Sequence, residues 1–251
     1  MMASREERAE GAIAIARDVH WVGFYENATR LQCNPYLLVD DDDVVFFDPG
    51  SIPDFPKIMR KVLDLVNPGA ITWIVVSHQD PDVCGNLAVV EDVLDNPALR
   101  IAAHTHTARL IDHLGLRTPI HRVDRHGHAI TLKSGRVLEF IHLPYLHSPG
   151  AIATFDRQRG FLFSGDLFGA ITRNGDIFST AGFPGTLDAF HQAYMPSNAV
   201  LRRGLARLEG LPIRAILPQH GSVIEGPNVR VAFDHLRALP CGEDCDEGGD
   251  A

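Results

Sequence analysis

Apolar residues recur along the chain in two rhythms, and the change from one to the other marks the predicted elements. Runs rich in β-branched and aromatic residues at 18–25, 34–39 and 44–48 predict three short strands. The last two are joined by Asp40, Asp41, Asp42 and Asp43, which fit a solvated hairpin turn. From 53 to 66 the period lengthens. Phe55, Ile58, Met59, Val62, Leu63 and Val66 fall on one helical face, and Asn67-Pro68-Gly69 ends it. A strand at 71–76 and a helix from 85 to about 94 follow, so this part of the chain runs β-α-β-α and predicts a parallel section of sheet. Strands near 100–103, 120–123, 137–141, 151–155 and 161–163 come next, then a long helical stretch at 187–208. A strand at 213–217 and a helix at 229–239 complete the order. No break in composition divides the chain and no short repeat is visible. The expectation is one α/β domain over 18–240 with two sandwiched sheets and outer helices, an N-terminal extension at 1–17, and a disordered acidic tail at 241–251.

Chemistry gathers where these strands end, which is where α/β proteins place it. The run at 71–76 passes directly into Ser77-His78-Gln79-Asp80-Pro81-Asp82-Val83-Cys84-Gly85-Asn86. His78, Asp80 and Asp82 recur at every second position, and Pro81 stiffens the turn between the carboxylates. Three hard or borderline ligands in five residues suit one or two divalent metal ions; the plainer reading is a polar loop with a helix cap at Asp82. Three further polar residues stand at strand exits beside Gly or Pro: His147 in Leu146-His147-Ser148-Pro149-Gly150, Asp166 in Ser164-Gly165-Asp166, and His220 in Gln219-His220-Gly221. Each alone reads as a turn residue or cap. Taken together, tight turns can aim all of them at one point. Asp48, at the tip of an earlier strand, fits a supporting role behind such ligands.

Composition narrows the class. With 251 residues, 45% hydrophobic and 22% charged, the chain can bury a sizeable core. A net charge of −9 argues against a nucleic-acid surface. No apolar stretch approaches bilayer length and residues 1–10 lack a signal-peptide core, so the expected location is cytoplasmic, with no membrane partner. Four unevenly spaced cysteines make no disulfide framework, whereas 13 histidines are unusually many.

The order His-x-Asp-x-Asp, His, Asp, His resembles the metallo-β-lactamase superfamily and, within it, the diiron domain of flavodiiron proteins. Val22-Gly23, Asn34-Pro35-Tyr36-Leu37-Leu38 and Asp48 match that family's opening pattern, and the resemblance covers about residues 18–240. It implies a four-layer αββα sandwich. It also implies that His78, Asp80 and His147 hold one metal, that Asp82 and His220 hold the other, and that Asp166 bridges them. The superfamily's hydrolases carry a second His at position 80, and the carboxylate here is harder, which suits iron more than zinc.

Two departures matter. The diiron branch usually has Glu at 80 and His at 83, where this chain has Asp80 and Val83. Val83 removes a ligand from the second metal, which implies either an open position that takes O₂ or a single-metal site. The pattern is similar to stand-alone oxygen-binding diiron proteins, some of them linked to bacterial oxygen sensing. Cys84, next to Val83, matches a non-ligand position and reads as a small buried residue.

The resemblance implies two iron ions, with zinc or manganese as other occupants, and O₂ bound at the open position, either held as by a sensor or carrier or reduced. No Gly-rich phosphate loop of the flavodoxin kind is present and the chain ends soon after its last helix, so no flavin is expected in it. Electrons would come from a redox partner or across a dimer interface, and a homodimer is carried over from the family. The other reading is a dinuclear zinc hydrolase, in which Asp82 or Asp166 orients a metal-activated water toward an ester, thioester or amide. Tyr145 and Phe168 are candidates for the pocket above the metals, and residues 169–186 for a lid or dimer contact. His104 and His106 read as capping or surface residues at a strand end, and His121, His126 and His128 as solvated surface. Cys241 and Cys245 read as thiols in a floppy tail.

Overall fold

Alternation along the strands sorts their side chains into two layers, and that sorting sets the architecture. The computed structural model describes residues 11–24, 31–171, 176–179 and 182–245. One sheet contains β1 (Ile13–Ala16), β2 (Val19–Trp21), β3 (Tyr36–Asp40), β4 (Asp43–Phe47), β5 (Ile71–Val75), β6 (Arg100–Ala103) and β7 (Ile120–Arg122), adjacent in that order. Pairing is antiparallel from β1 to β4 and parallel from β4 to β7, as the β-α-β-α rhythm predicts. The second sheet has the order β13 (Ile224–Glu225), β12 (Ala215–Pro218), β11 (Phe161–Gly165), β10 (Ile152–Asp156), β9 (Val137–His142), β8 (Ala129–Thr131). Its β11 and β12 are parallel and its other pairs antiparallel.

Val45 and Phe47 of β4 pack with Ile152 of β10, Phe163 of β11 and Leu217 of β12 in one cluster between the sheets, where the rings of Phe47 and Phe163 stack at 3.8 Å. Their alternates, Val44 and Phe46, turn the other way. There they meet α1 (Phe55–Leu63), α2 (Pro81–Cys84), α3 (Leu87–Leu94) and α4 (Thr105–Ile111) through Ile58, Met59, Val62, Leu87, Val90 and Ile111. On the second sheet, Phe155, Leu162 and Ile216 face α5 (Asp188–Tyr194), α6 (Asn198–Leu208) and α7 (Pro227–Ala238) through Phe190, Leu201, Leu205, Phe233 and Leu236. The layers are helix, sheet, sheet, helix, the αββα sandwich. Each large side chain so buried contributes about 1.5–3 kcal/mol, which is what holds four layers in one body.

Buried Arg136 ties the sheets together. Its Nε donates to Asp156 Oδ1 at 3.1 Å, and its Nη1 donates to Asp18 Oδ2 at 2.6 Å and to Asp40 Oδ1 at 3.3 Å. A planar guanidinium fork can satisfy three carboxylates at once.

Several expectations are corrected. The first sheet begins at Ile13, inside the segment read as an extension, because Ile13 and Ala14 pair with Trp21 and His20. The acidic turn is solvated only at its tip: Asp40 bonds Arg136, and Asp43 accepts from Thr72 Oγ1 at 2.8 Å and from the Lys133 amide at 2.6 Å. The helix read as 85–94 is α3, which starts at Leu87, and a short helix that was not anticipated, α2, precedes it at Pro81–Cys84. The stretch read as 187–208 breaks at Met195-Pro196, after which Ser197 caps α6 by accepting from the Val200 amide. A helix that was not anticipated, α4, opens at His104, whose Nδ1 accepts from the His106 amide at 3.1 Å in the capping role expected of it. The tail is ordered through its first residues: Cys241 is fully buried in the helical core and the Gly242 amide donates to Gln192 O at 3.1 Å. Residues 246–251 lie outside the described residues.

Candidate metal centre

The six predicted ligands come from strand exits that meet at one end of the sandwich. After β4, Asp48 adopts a left-handed backbone (φ 48) and its Oδ1 accepts from the Ser77 amide at 2.7 Å. Ser77 Oγ in turn bonds His78 Nδ1 at 3.0 Å, so Asp48 supports the loop that carries His78, the supporting role expected of it. After β11, Gly165 (φ 60) brings Asp166 up to that loop; a Cβ there would lie 3.1 Å from Ser77 Cβ. After β12, Gly221 (φ 81) follows His220 and lies so close to Ala170 that a Cβ would meet its methyl at 2.6 Å. Glycine is what allows both approaches.

Asp166 stands at the centre, buried, with its two oxygens facing different groups. Oδ2 lies 2.8 Å from His147 Nε2 and 3.3 Å from His78 Nε2, and Asp80 Oδ2 lies 3.1 Å from the same His147 atom. Oδ1 lies 3.3 Å from His220 Nε2, which is 3.5 Å from Asp82 Oδ2. The structure therefore brings together all six residues, in the two halves that the resemblance implies.

Further polar atoms of His220 and Asp80 are engaged outside the cage. His220 Nδ1 donates to Gln32 O at 2.7 Å, which leaves Nε2 as the lone-pair nitrogen facing inward. Gln79 Nε2 donates to Asp80 Oδ1 at 2.8 Å and Gln79 Oε1 accepts from Ser148 Oγ at 2.6 Å, so the second oxygen of Asp80 is the one turned to the histidines. Asp166 Oδ1 is buried without a hydrogen-bond partner. Carboxylate oxygens and imidazole nitrogens converging on one place, one of them orphaned, fit a pair of divalent cations.

Charge coupling is strong. Burial opposes charging of His147, yet Asp166 and Asp80 carry its pKa up to about 10. Burial likewise opposes charging of His78 and His220, and Asp166 raises both. Burial disfavours the Asp166 carboxylate, but His78 and His147 hold it well below the usual range. The cage thus strongly favours positive charge among its carboxylates.

A cavity of about 540 Å³ opens over this cage, lined by Asp82, Cys33, Leu31, Pro53, Phe190 and Tyr194 among others. Phe168 does not line it. Its ring is fully buried against Phe233, and its amide donates to the buried His191 Nε2 at 3.1 Å. Tyr145 does not line it either and is 57% exposed. Val83 is fully buried in the apolar cluster between α1, α3 and the first sheet, and Cys84 packs there too. Among the described residues of 169–186, Ile177 packs between the sheets and Leu187 follows in the core. His121 and His126 stack on one another at 4.3 Å, away from the cage. Sequence reasoning missed Cys33, Phe190 and Tyr194. Cys33 lies 49 residues from Asp82, its nearest partner, and no local spacing announces it.

Comparison with known proteins identifies the family and the fold. The putative diflavin flavoprotein A 1 of Thermosynechococcus vestitus is 28% identical over 193 residues, which cover 75% of this chain and 33% of that protein. The chain thus spans about a third of the length of that relative. A solved structure described as the apo state of chemotaxis sensor ODP from T. denticola superposes with a TM-score of 0.80 at 26% identity, covering 93% of this chain and 95% of that one. Another, described as a peroxy diiron species of chemotaxis sensor ODP, gives a TM-score of 0.79 at 25% identity and covers 93% and 97%. The family model described as ODP family beta lactamase matches residues 31–221, and the chain belongs to that family.

Proposed function

We propose that the cage holds two iron ions and that the chain is a non-haem diiron protein that binds O₂, as a sensor or carrier or as an oxygen-reducing protein with an external electron donor. The observation that carries this reading is Asp166, one buried carboxylate whose two oxygens face two separate ligand groups. The likeness to a chemotaxis-sensor structure described as a peroxy diiron species supports iron and oxygen.

His78, Asp80 and His147 would hold one ion, Asp82 and His220 the other, and Asp166 both. When bound, the iron pair supplies the electrons and vacant coordination that O₂ binding draws on. The protein does the rest. Three carboxylates offset three of the four positive charges of two ferrous ions, so the protein itself supplies most of the charge that holds the pair. Gln32 and Ser77 fix the ring orientations of His220 and His78. Phe190 and Leu31 give the cavity an apolar wall, and Tyr194, 45% exposed, stands at its mouth. Ile52, between cavity-lining Ser51 and Pro53, is 60% exposed there as well. A redox or signalling partner, or a second copy of the chain, would meet the centre from this side.

The test is metal analysis of protein made in iron-rich medium, then anaerobic reduction and exposure to O₂. Two irons per chain and a visible absorption band that develops with O₂ are expected. Stoichiometric zinc with esterase activity and no oxygen response would overturn the proposal.

A further inference from the structure

The two halves of the cage are unequal. His78, His147, Asp80 and one oxygen of Asp166 converge on the first, whereas His220, Asp82 and the other oxygen of Asp166 give the second only three. Cys33 stands at the deficient half. Its Sγ lies 3.5 Å from Asp82 Oδ2, and ligand atoms of Cys33, Asp82 and His220 all fall within 4.8 Å of one another. With bonds of about 2.3 Å to sulfur and about 2.0 Å to oxygen, two ligands on a tetrahedral ion sit about 3.5 Å apart. The Cys33 thiol donates to Asp82 Oδ2 across that same distance, so an ion could replace its proton with little movement of either side chain.

Two independent observations point to the same place. Asp166 Oδ1, the orphaned buried oxygen, faces this half and no other. The backbone on both sides of Cys33 is also tied to the strand exit that carries His220. Gln32 O accepts from His220 Nδ1, the Asn34 amide donates to Gln219 O at 2.7 Å, and Asn34 Nδ2 donates to Gly221 O at 2.7 Å. Gly23 lets the neighbouring chain lie against Cys33, since a Cβ there would be 2.8 Å from Cys33 O. Cys33 and His220 are therefore held as one unit. Both thiols approach a backbone carbonyl, Cys33 that of Leu31 at 3.7 Å and Cys84 that of Asp80 at 3.3 Å, but Cys84 is buried among apolar side chains and only Cys33 lies within reach of Asp82 and His220 together.

We propose that Cys33 binds the second metal ion as a thiolate, so that the two ions occupy chemically different sites, one bound by nitrogen and oxygen only and the other also by sulfur. The inference rests on the two-metal reading above. On binding, the S–H bond breaks, its proton passes to solvent, and a sulfur–metal bond forms with no change of oxidation state. Soft sulfur biases the second site toward ions that accept thiolate, whereas the first keeps a hard donor set.

Cobalt(II) tests this without oxygen chemistry. The metal-free chain, titrated anaerobically with CoCl₂, is expected to bind two ions and to show a near-ultraviolet thiolate-to-cobalt charge-transfer band as the second site fills. In C33S the band should vanish while cobalt still fills the first site, and in C84S it should remain. Two bound ions with no thiolate band in the unmodified chain would overturn the role of Cys33 and leave the two-metal reading intact, as would a band that survives in C33S. One bound ion with a band that C33S removes would uphold Cys33 and contradict the pair. No bound cobalt would end both.

Discussion

Asp166 Oδ2 lies 2.8 Å from His147 Nε2, and each residue shifts the other's proton affinity. Burial opposes the charge, but two carboxylates outweigh it and give His147 a pKa of about 10 in the folded chain, against about 6.5 when unfolded. A raised folded pKa means that the native state binds the proton more tightly. Its stabilising contribution is therefore complete below about pH 6.5 and is lost as pH rises through 10. Urea unfolding of metal-free protein should show stability falling across that window, and His147→Gln should remove that part of the dependence. A metal-free chain whose profile is the same with and without His147 would contradict the coupling.

Asp48 separates geometry from charge. Burial raises its pKa to about 6, opposed by the Ser77 amide and by His78. Because the folded pKa is raised, ionising Asp48 costs stability as pH climbs from about 4 through 6. Asp48→Asn keeps an acceptor for the Ser77 amide and tolerates the left-handed backbone, so it should be as stable as the parent or more stable at pH 7. Asp48→Ala leaves that buried amide unpaired, at a cost of about 1–3 kcal/mol. By loosening the loop behind His78 it should also weaken metal binding about 10- to 100-fold. Chemical unfolding at two pH values and competitive metal titration give both numbers.

The six candidate ligands that meet at one end of the sandwich, and the layer order, were legible because each depends on a short-range pattern. An apolar run that ends in His or Asp beside Gly or Pro is visible within ten residues. So is the alternation that sends Val45 inward and Phe46 outward. Contacts that depend on distant segments were not legible. Phe168 was expected in the pocket because it follows Asp166 by two residues, but its left-handed backbone (φ 67) and the His191 acceptor turn it into the core. Tyr194 takes the place expected of Tyr145 from the last turn of α5, just before a break at Met195-Pro196 that periodicity alone did not reveal. Val83 drew attention at the loop, whereas the position of Cys33 beside Asp82, set by its neighbours Asn34 and Gln32, depends on distant segments and was concealed.

The central claim is that one buried carboxylate serves two metal ions, and Asp166→Asn tests it most directly. Asparagine keeps the shape and one oxygen but replaces the other by an amide nitrogen that donates rather than binds metal. In anaerobic ferrous titration the parent chain should take up two ions. The variant, with its fold checked by circular dichroism, should take up one at most, with weakened affinity. A variant that still binds two ferrous ions as tightly as the parent would contradict the account.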